Sequence, residues 1–511
     1  MERDVTHLKA QDLTGSALEL TPDLAGEFPI FFYLDEKKTD LYYSKSTKAL
    51  LESPSIGKPL SVSPESLSFL LQSGLVPPPN TIYKNIYTLG IGDKVIIKVK
   101  NGKIEIDYSH QFPFMNANRL SENEIIPDEN LILELLANAA ISRVDTSQPT
   151  FLFQSAGKDS NTILLALAEA GWQDKVVCVC QKSSGKNDES EISKTVAKKL
   201  GFQHIVLKQP DMLFKQPAQI TQYIDSIIEH FVNTPLPWTD EVTLAFPSYP
   251  LQVPSLMRAN IVDGSGGDVF LSCIPSISEY RKQWLANLTW PVARLADHMG
   301  STSVFSSIRK TRAEWCGLGG FLYADTKEIY PLAIPVLPYW SRQSKARRSW
   351  DYLDFRSDIR ASIIDICIFN QKIRNAADVW GSNIIFPWSN PEVATYCFKL
   401  PEKYLFDRRT LKNKLILRKM LNEKIGLNSD VIGKRGYGID TLAILELLME
   451  HVFKEIKTCS FWNRNAASDQ ANILRRIAYS NAKYYDLARK LLQRLYLLSL
   501  WLNYNRYIKA D

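Results

Sequence analysis

The stretch from Phe151 to Ala170, FLFQSAGKDSNTILLALAEA, limits the fold of this chain more than any other. The apolar residues Phe151 to Phe153 indicate the end of a buried parallel strand. A polar loop of small residues follows, and apolar residues then recur at helical spacing at Ile163, Leu164 and Leu167. A strand, a short loop and a helix in this order direct free backbone N–H groups at an anion. The stretch therefore predicts an anion-binding loop or, alternatively, an ordinary strand-to-helix turn of an α/β domain.

The residues of this loop have the chemistry of a phosphate site that also holds a cation. Gly157 lets the backbone approach a ligand closely, and Ser155 and Ser160 add hydroxyl donors. Asp159 would repel a phosphate unless a cation lies between them, so it indicates Mg²⁺. Ala156 stands between Ser155 and Gly157, and its methyl group fits if φ is negative there. The loop is not a Walker A motif, because it lacks G-x-x-x-x-G-K-[ST].

A second glycine cluster, IVDGSGGDVF from Ile261 to Phe270, also follows an apolar strand. Its Asp268 would lie at a strand end, in the crevice where open α/β sheets bind ligands. The run KVVCVC predicts the neighbouring strand, with Cys178 near an adenine ring by analogy to the fold, or else as a small buried hydrophobe. Repetition of strand, loop and helix predicts a doubly wound parallel sheet.

Composition narrows the class of protein without naming it. The chain has 511 residues and a net charge of +6, which permits an anionic ligand such as ATP and does not indicate nucleic acid. Seven scattered Cys without a C-x-x-C pair predict a reduced cytoplasmic chain without a zinc site. The N-terminus lacks an apolar signal core, and no run approaches the ~18 apolar residues of a membrane span.

The two ends of the chain have their own patterns. Up to about Phe114 the sequence predicts a small β-rich domain with two hairpins, one of them turning at Asn101-Gly102. Between the hairpins, a helix is expected from a cap at Ser63 to a stop at Gly74. Residues 475–508 are predicted to be helical, basic and aromatic, and to pack against the domain rather than lie on a membrane surface.

Five ordered segments resemble the asparagine synthetase-like family, which includes β-lactam synthetases, carbapenam synthetase and lasso-peptide cyclases. They are SAGKDS, NDESE, GSGGD, FPWSNPEV with the following KNKLILRK, and KRGYG. The resemblance implies an α/β ATP pyrophosphatase domain at residues 118–511, behind a truncated glutaminase-like domain at residues 1–117. It also implies ATP and Mg²⁺, and amide formation through an acyl-adenylate with release of AMP and pyrophosphate.

The same resemblance implies roles for particular residues. Asp159 and Asp268 match Mg²⁺ ligands, and Lys434 in GKRGYG matches a catalytic lysine. Ser265 and Asn383 stand where β-lactam synthetases carry a Tyr–Glu base pair, so they occupy catalytic positions without that base. The positions implied for nucleotide binding are Ser155, Ala156, Gly157, Lys158, Asp159, Ser160, Cys178, Gly264, Gly266, Gly267 and Lys414.

The expected function is amide formation without glutamine hydrolysis, because residue 2 is Glu2 and no Cys occurs before Cys178. Lasso-peptide cyclases also carry Asn at the position of Asn383, which favours a peptide or natural-product substrate such as a macrolactam precursor. A precursor peptide and its processing protease are then the expected partners. The alternatives are asparagine synthesis from free ammonia and a degenerate synthetase acting as a binding scaffold. An RNA-thiolating ATP pyrophosphatase would need Cys pairs or a strong basic face, and neither is evident.

Overall fold

The computed structural model describes residues 5–115, 125–183, 188–271, 300–301, 310–432, 439–480 and 484–508, together with Tyr280 and Ala286. Its N-terminal region contains two antiparallel sheets, with strand orders β1-β4-β3-β5 and β2-β6-β7. The strands are β1 Thr6–Lys9, β2 Leu18–Leu20, β3 Ile30–Leu34, β4 Asp40–Ser44, β5 Ile86–Leu89, β6 Asp93–Lys100 and β7 Lys103–His110. The predicted β-rich character of this region is therefore confirmed.

Local sequence signals explain these N-terminal elements. Alternating burial along β6 sends Val95 and Ile97 into the core, where they meet Phe32 and Leu41 of the other sheet. The β6–β7 turn is made by Asn101-Gly102, both with positive φ, as a two-residue hairpin requires. The helix Pro64–Ser73 begins after Ser63, whose side chain accepts from Ser66 N, and ends at Gly74 in the left-handed region.

The larger part of the chain is built on a five-stranded parallel sheet in the order β10-β9-β8-β11-β12. After β8 the chain moves outward through β9 and β10, and it returns to the other side of β8 as β11 and β12. The carboxyl ends of β8 and β11 thus flank the point where the order reverses, which is where such sheets bind ligands. The strands are β8 Thr150–Phe153, β9 Val176–Lys182, β10 Gln203–Lys208, β11 Asn260–Asp263 and β12 Asn383–Ile385, followed by the short hairpin β13 Phe406–Asp407 and β14 Lys412–Asn413.

Helices cover both faces of this sheet and form the C-terminal part of the chain. The α-helices are α1 Thr47–Glu52, α2 Pro64–Ser73, α3 Glu129–Ile141, α4 Lys158–Glu169, α5 Ser190–Lys199, α6 Pro210–Leu213, α7 Pro217–Asn233, α8 Tyr249–Gln252, α9 Gly267–Phe270, α10 Tyr323–Ile329, α11 Leu337–Ala346, α12 Tyr352–Asp358, α13 Asn370–Trp380, α14 Pro391–Lys399, α15 Glu402–Leu405, α16 Leu415–Ile425, α17 Ser429–Ile432, α18 Thr441–Leu447, α19 Met449–Thr458, α20 Arg464–Ala478 and α21 Tyr485–Tyr504. The 3-10 turns are Ala10–Leu13, Gln173–Lys175, Glu241–Leu244, Phe246–Ser248, Pro254–Leu256, Glu314–Cys316 and Pro387–Ser389.

Between α12 and α13 the chain stays helical but changes its hydrogen-bonding pattern. Residues Ile359–Phe369 form a π-helix, so that 352–380 is one continuous helix with a wider central segment. π-helical turns are rare and are found mostly at functional sites, because they shift the face on which later side chains lie. This helix borders the carboxyl ends of β8 and β11.

The C-terminal helix α21 lies in the main core of the molecule. Leu497 and Trp501 are fully buried, which confirms that this segment packs against the domain. Trp501 Nε1 donates to the carbonyl of Thr234 at 3.1 Å, at the end of α7. No helix among the described residues has the length and apolar character that a membrane span requires.

A partly buried histidine joins the N-terminal region to the long helix. The His110 ring nitrogens lie 2.8 Å from Asp93 Oδ1 and 2.9 Å from Asp358 Oδ1, and Arg347 Nε donates to the other oxygen of Asp358. Burial opposes a charge on the ring, but the carboxylates of Asp358 and Asp93 outweigh it and raise the pKa of His110 to about 9. The ring is therefore an imidazolium near neutral pH and donates to Asp93 and to Asp358.

Candidate active site

A cavity of about 410 Å³ opens at the carboxyl ends of β8 and β11. Three groups of residues meet there: the loop before α4, the glycine loop after β11, and the π-helical segment. The wall between them is apolar and includes Phe153 and Phe246. Among the sequence-predicted residues, the cavity is lined by Ser155, Asp159, Ser160, Gly264, Ser265, Gly266 and Asp268.

The loop from Ser155 to Ser160 is held by its own hydroxyl groups. Ser155 N donates to Ser160 Oγ at 3.1 Å, and Gly157 N donates to Ser155 Oγ at 3.0 Å. Ala156 has a negative φ, so its methyl group is accommodated without strain. Its N–H donates to Glu189 Oε2 at 2.9 Å. Glu189 belongs to the NDESE segment, and this bond shows how that segment supports the loop.

The helix that follows the loop presents its amino end to the cavity. Helix α4 is 12 residues long and begins at Lys158, directly after Gly157 as N-cap. The N–H groups of a first helical turn have no carbonyl partner within the helix, and the helix dipole adds partial positive charge there. Lys158 contributes a side-chain ammonium at the same end. Burial, together with repulsion from Lys414 and Arg418, lowers the pKa of Lys158 to about 8.

The two glycine-containing loops pack so closely that side chains would not fit between them. A Cβ on Gly264 would lie 3.1 Å from the backbone nitrogen of Ser160. A Cβ on Gly267 would lie 2.5 Å from Oδ1 of Asp159. Gly266 has a φ of +100°, which L side chains rarely adopt. These glycines are required by the close approach of the second loop to the first.

Asp159 and Asp268 face the same ammonium group. Lys414 Nζ lies 2.6 Å from Oδ1 and 2.5 Å from Oδ2 of Asp159, and 2.5 Å from Oδ1 of Asp268. Burial opposes the charge of Lys414, but the two carboxylates outweigh it and hold its pKa above the usual value. The side chain of Lys414 is only 2% exposed. The structure thus brings together the two residues predicted as Mg²⁺ ligands and Lys414, which was predicted to bind the nucleotide.

The backbone of Lys414 is unusual. It is the N-cap of α16 and has φ +49° and ψ +45°, in the left-handed region. A non-glycine residue in that region is uncommon, and such strain concentrates at functional sites. From this position, directly after the β13–β14 hairpin, the side chain reaches Asp159 and Asp268.

Residues after β12 also reach the site, and sequence reasoning had treated them only as part of a family segment. Trp388 Nε1 donates to the carbonyl of Asp159 at 3.3 Å, and Trp388 is fully buried. Ser389 lies against Gly266, where a Cβ would be 2.6 Å from its Oγ. Asn390 caps α14 by accepting from Glu392 N and Val393 N. An acidic residue is therefore not needed at that position, because Asn makes the same cap.

Ser265 lies in the cavity wall with its polar groups engaged. Its N–H and its hydroxyl both donate to Oδ1 of Asp263, at 2.8 and 2.5 Å. Asp263 is the last residue of β11, and burial raises the pKa of its carboxyl despite these two bonds. A hydroxyl held in this way helps to shape the loop and offers no base.

Cys178 and Asn383 are not among the residues that line the cavity. Cys178 pairs in register with Leu152 in the middle of the sheet, and its side chain is fully buried in the core. Its predicted place near an adenine ring stays a prediction. Asn383 is the first residue of β12, opposite Asn260, and therefore lies at the amino ends of the parallel strands. Its Nδ2 donates to the carbonyl of Arg143 at 2.9 Å. These contacts are structural, and the catalytic role of Asn383 stays a prediction.

Lys434, the predicted catalytic lysine, lies outside the described residues, as does the rest of 433–438. Its role stays a prediction. The described residue nearest to it in sequence is Ile432, at the end of α17, and Asp430 of that helix binds Lys412 Nζ at 2.8 Å. Helix α17 is thus tied to the β13–β14 hairpin that carries Lys414.

The structure adds charged residues that sequence reasoning missed. Arg356, Arg360 and Asp365 of the long helix line the same cavity as Asp159 and Asp268. No motif marks them, and helical spacing alone would not group Asp365 with the two arginines. The cavity therefore has a phosphate-loop side and an opposite side built from the long helix.

The residues of the phosphate-loop side fit ATP with Mg²⁺. The described residues hold no group of three or more His, Cys, Asp and Glu side chains placed to bind a metal by themselves. Mg²⁺ usually takes only one or two carboxylates and completes its shell with water and substrate phosphates. Asp159 and Asp268, beside the amino end of α4, offer that donor set. These residues are the ones that would hold the ion.

Comparison with known proteins agrees with this geometry. The sequence model of the family described as asparagine synthase matches residues 131–435, which is more than half of the chain. The chain belongs to the asparagine synthase family. The matched region runs from α3 through the parallel sheet and α16 to the segment that contains Lys434. The five-stranded parallel sheet is therefore of the ATP pyrophosphatase type that this family implies.

One curated relative is a protein of Methanocaldococcus jannaschii that carries the name asparagine synthetase [glutamine-hydrolyzing] 2. It is 24% identical over 274 residues, which are 52% of this chain and 49% of that protein. The chain thus spans about half the length of this asparagine synthase relative. The similarity supports the family and leaves the substrates of this chain to be inferred.

Proposed function

We propose that this protein is an ATP-dependent ligase that activates a carboxylate as an acyl-adenylate, releases pyrophosphate and joins the acyl group to an amine. One observation carries the proposal. The carboxylates of Asp159 and Asp268 lie in one cavity, at the ends of neighbouring parallel strands and beside the amino end of α4. That arrangement binds the phosphates of a nucleotide through the helix and a cation through the carboxylates.

Each residue of the phosphate-loop side has a part in this proposal. The first-turn N–H groups of α4 and the hydroxyls of Ser155 and Ser160 would hold phosphate oxygens. The ammonium groups of Lys158 and Lys414 would offset the charge of the pyrophosphate as it leaves. Mg²⁺, held by Asp159 and Asp268, would supply electrostatic stabilisation of charge on the phosphates.

The proposal takes the amine from solution or from the substrate itself. No Cys occurs before Cys178, so the N-terminal region offers no thiol nucleophile for glutamine hydrolysis. The two-sheet N-terminal region instead packs on the long helix through His110 and Asp358. Its proposed role is to support the helix that forms the opposite side of the cavity.

For the substrates, we propose a peptide or another natural product, with formation of a macrolactam as the leading case. The support is the resemblance to lasso-peptide cyclases in the segment around Asn383. A second candidate is asparagine formation from aspartate and ammonia, and the name of the curated relative favours it. Both reactions share the adenylation step, so one assay addresses them together.

The test is ATP–pyrophosphate exchange with purified protein, Mg²⁺ and a panel of carboxylates. The panel contains L-aspartate, L-glutamate and peptides that bear an acidic side chain. We expect exchange with at least one member, and loss of at least about 10²-fold in Asp159→Asn, since the positioned carboxylate is removed. Asp174→Asn is the matched control, because Asp174 is exposed on the same strand–helix unit.

The outcomes separate the alternatives. Exchange with L-aspartate, followed by asparagine formation from ammonia, would favour the second candidate. Exchange with peptides alone would favour natural-product formation. Nucleotide binding without exchange across the panel would contradict a ligase and support a binding scaffold. Full exchange in Asp159→Asn would refute the site.

A further inference from the structure

The side of the cavity opposite the phosphate loop carries an ion pair that an ordinary helix would not form. Arg360 Nη2 lies 2.7 Å from Asp365 Oδ1, and the two residues are five positions apart. Side chains that meet on an α-helix are three or four positions apart. Five residues of α-helix turn through about 500°, which would place Asp365 roughly 140° away from Arg360. In the π-helix Ile359–Phe369 the turn closes at i+5, so the two side chains share a face.

The π-helical segment therefore puts Asp365 into the cavity. Arg356 and Arg360 lie one α-helical turn apart on the cavity face, and Asp365 joins them one π-turn later. The Arg360 guanidinium carbon lies 4.7 Å from the Phe369 ring centroid, and Arg356 Nη1 donates to the carbonyl of Cys316 at 3.1 Å. These contacts fix the guanidinium groups, and Arg360 in turn fixes the carboxylate of Asp365.

Asp365 is the carboxylate that the long helix contributes to the cavity, and Arg360 holds one of its two oxygens. Asp365 is 4% exposed and lines the same cavity as Asp268. The other charged cavity groups have strong partners elsewhere: Asp263 accepts from Ser265, and Lys372 pairs with Asp240 at 3.2 Å. A buried carboxylate on the wall of a substrate cavity binds a cation. In amide formation that cation is the protonated amine.

We propose that Asp365 binds the attacking amine as its ammonium ion and takes a proton from it. This inference rests on the proposed ligase function and adds the residue that serves its second step. The substrate class bound on this side of the cavity is then a primary amine that is protonated in solution. Ser265 and Asn383, which stand at the positions of the base in related synthetases, do not supply one.

The step balances without any further reactant. The ammonium gives one proton to the Asp365 carboxylate, and the nitrogen lone pair forms the C–N bond to the acyl carbon. When the tetrahedral intermediate collapses, the bond between that carbon and the phosphate oxygen breaks, and AMP leaves with its electron pair. The second proton on nitrogen passes to the departing phosphate or to water.

The electrostatic surroundings suit this role. Burial is the main influence on Asp365 and raises the pKa of its carboxyl to about 6. The negative charge of Asp268 raises this pKa further, whereas the positive charges of Arg360, Arg356 and Lys414 lower it. The carboxyl of Asp365 is thus ionised near neutral pH, and its pKa lies nearer to neutral than the pKa of an exposed aspartate. A base with a pKa nearer the working pH is more effective, because it is ionised and also accepts the proton readily.

The experiment compares two nucleophiles that differ in protonation. Hydroxylamine is neutral near neutral pH and needs no base, whereas ammonia is present there as ammonium. Both are supplied as probes with the carboxylate that supports exchange in the wild type. Asp365→Asn should keep ATP–pyrophosphate exchange and hydroxamate formation within about threefold, and lose ammonium-dependent amide formation by about 10²–10⁴-fold. Asp365→Glu should restore part of the ammonium-dependent rate.

Dependence on pH gives a second readout that a structural role would not change. In the wild type, kcat/KM for ammonium should rise through about pH 6 and then level, following the pKa of Asp365. In Asp365→Asn it should keep rising with pH, because only free ammonia reacts. Arg360→Gln combined with Asp365→Asn removes both charges and so avoids an unpaired buried cation. It should show the same selective loss.

Ser362→Ala is the control on the same π-helical segment. Ser362 Oγ donates to the carbonyl of Asp358 at 2.7 Å, and Ser362 is not among the residues that line the cavity. It should use both nucleophiles at wild-type rates. Equal loss of both nucleophiles in Asp365→Asn, loss of neither, or a wild type that accepts only hydroxylamine would overturn the inference. No exchange with any carboxylate in the wild type would refute the proposed function first, and this inference with it.

Discussion

Lys414 Nζ lies 2.5 Å from Oδ2 of Asp159, although 255 residues separate the two in sequence. The same ammonium lies 2.5 Å from Asp268, so one buried cation bridges two carboxylates that follow neighbouring strands. Like charges held this close would repel each other strongly without it. Cation binding and phosphate binding in this cavity are therefore electrostatically linked through Lys414.

Replacing Lys414 with Met should make the stability of the protein depend on Mg²⁺ when no nucleotide is present. The variant keeps the length of the side chain and leaves Asp159 facing Asp268. Loss of the ammonium should lower the free energy of unfolding by no more than about 3–5 kcal/mol, because Asp268 is 43% exposed. A divalent ion that binds the two carboxylates would then restore stability by mass action. The measurement is Tm with and without MgCl₂, at constant ionic strength.

Lys412→Met is the control for that experiment. Lys412 lies two residues away, and its ammonium pairs with Asp430 at an exposed position. Its Tm should respond to MgCl₂ as the wild type does. The same response in all three proteins would contradict the electrostatic link.

Gly267→Ala should impair catalysis more than folding. The new methyl group would lie 2.5 Å from Oδ1 of Asp159, so the carboxylate must move away from Lys414. A displacement of about 1 Å at a reacting site can cost about 10² in rate. The expected result is that pyrophosphate release falls by about that factor while the unfolding free energy changes by about 1 kcal/mol or less.

Gly57→Ala provides the matched change at a site without neighbours. A Cβ on Gly57 meets no heavy atom within 4 Å, and this residue is exposed. Activity and Tm should both stay at wild-type values. Normal pyrophosphate release in Gly267→Ala would show that Asp159 tolerates displacement and does not hold a tightly placed ligand.

His110 should make stability fall as pH rises above neutral. Asp358 and Asp93 raise its pKa from the ordinary value of 6.5 to about 9, against the effect of burial. The folded protein binds the proton more tightly than the unfolded chain, so this stabilisation is complete below about pH 6.5 and is lost as pH rises through about 9. Its size is about 3 kcal/mol. Urea unfolding between pH 6 and pH 10 measures it.

His110→Gln should flatten that pH profile, because the amide does not titrate in this range. Its stability near pH 10 should be close to that of the wild type, where His110 is neutral as well. A wild-type profile with no fall between pH 6.5 and pH 9 would show that the imidazolium does not stabilise the contact between Asp93 and Asp358.

Lys434→Ala should affect the amide-forming step more than ATP binding. A fixed ammonium directed at a developing oxyanion contributes in the transition state, and losing such a donor costs about 10²–10³ in rate. Lys434→Arg should not restore the rate, because a planar guanidinium does not replace a compact ammonium. Amide formation and ATP binding are measured on all three proteins. Near-normal turnover in Lys434→Ala would place this residue outside the chemistry.

Much of the local structure could be predicted from sequence because its causes lie within a few residues. Ser63 and Gly74 bound α2 through contacts inside the helix itself, and Asn101-Gly102 sets a turn by its own backbone preference. The strand, loop and helix around Asp159 follow from hydrophobic spacing and small polar residues. The order of the five family segments then indicated the nucleotide site before any contact was known.

The tertiary structure alone decided which of these residues meet. The register of a parallel sheet sends Asn383 to the amino ends of the strands and keeps Cys178 in the core, and neither strand's sequence encodes its partner. The π-helix brings Asp365 into the cavity through a change of pitch that hydrophobic periodicity does not report. Lys414 meets Asp159 only because the chain folds back over 255 residues. Sequence therefore determined the elements and the chemistry they carry, whereas long-range packing decided the distances between charges.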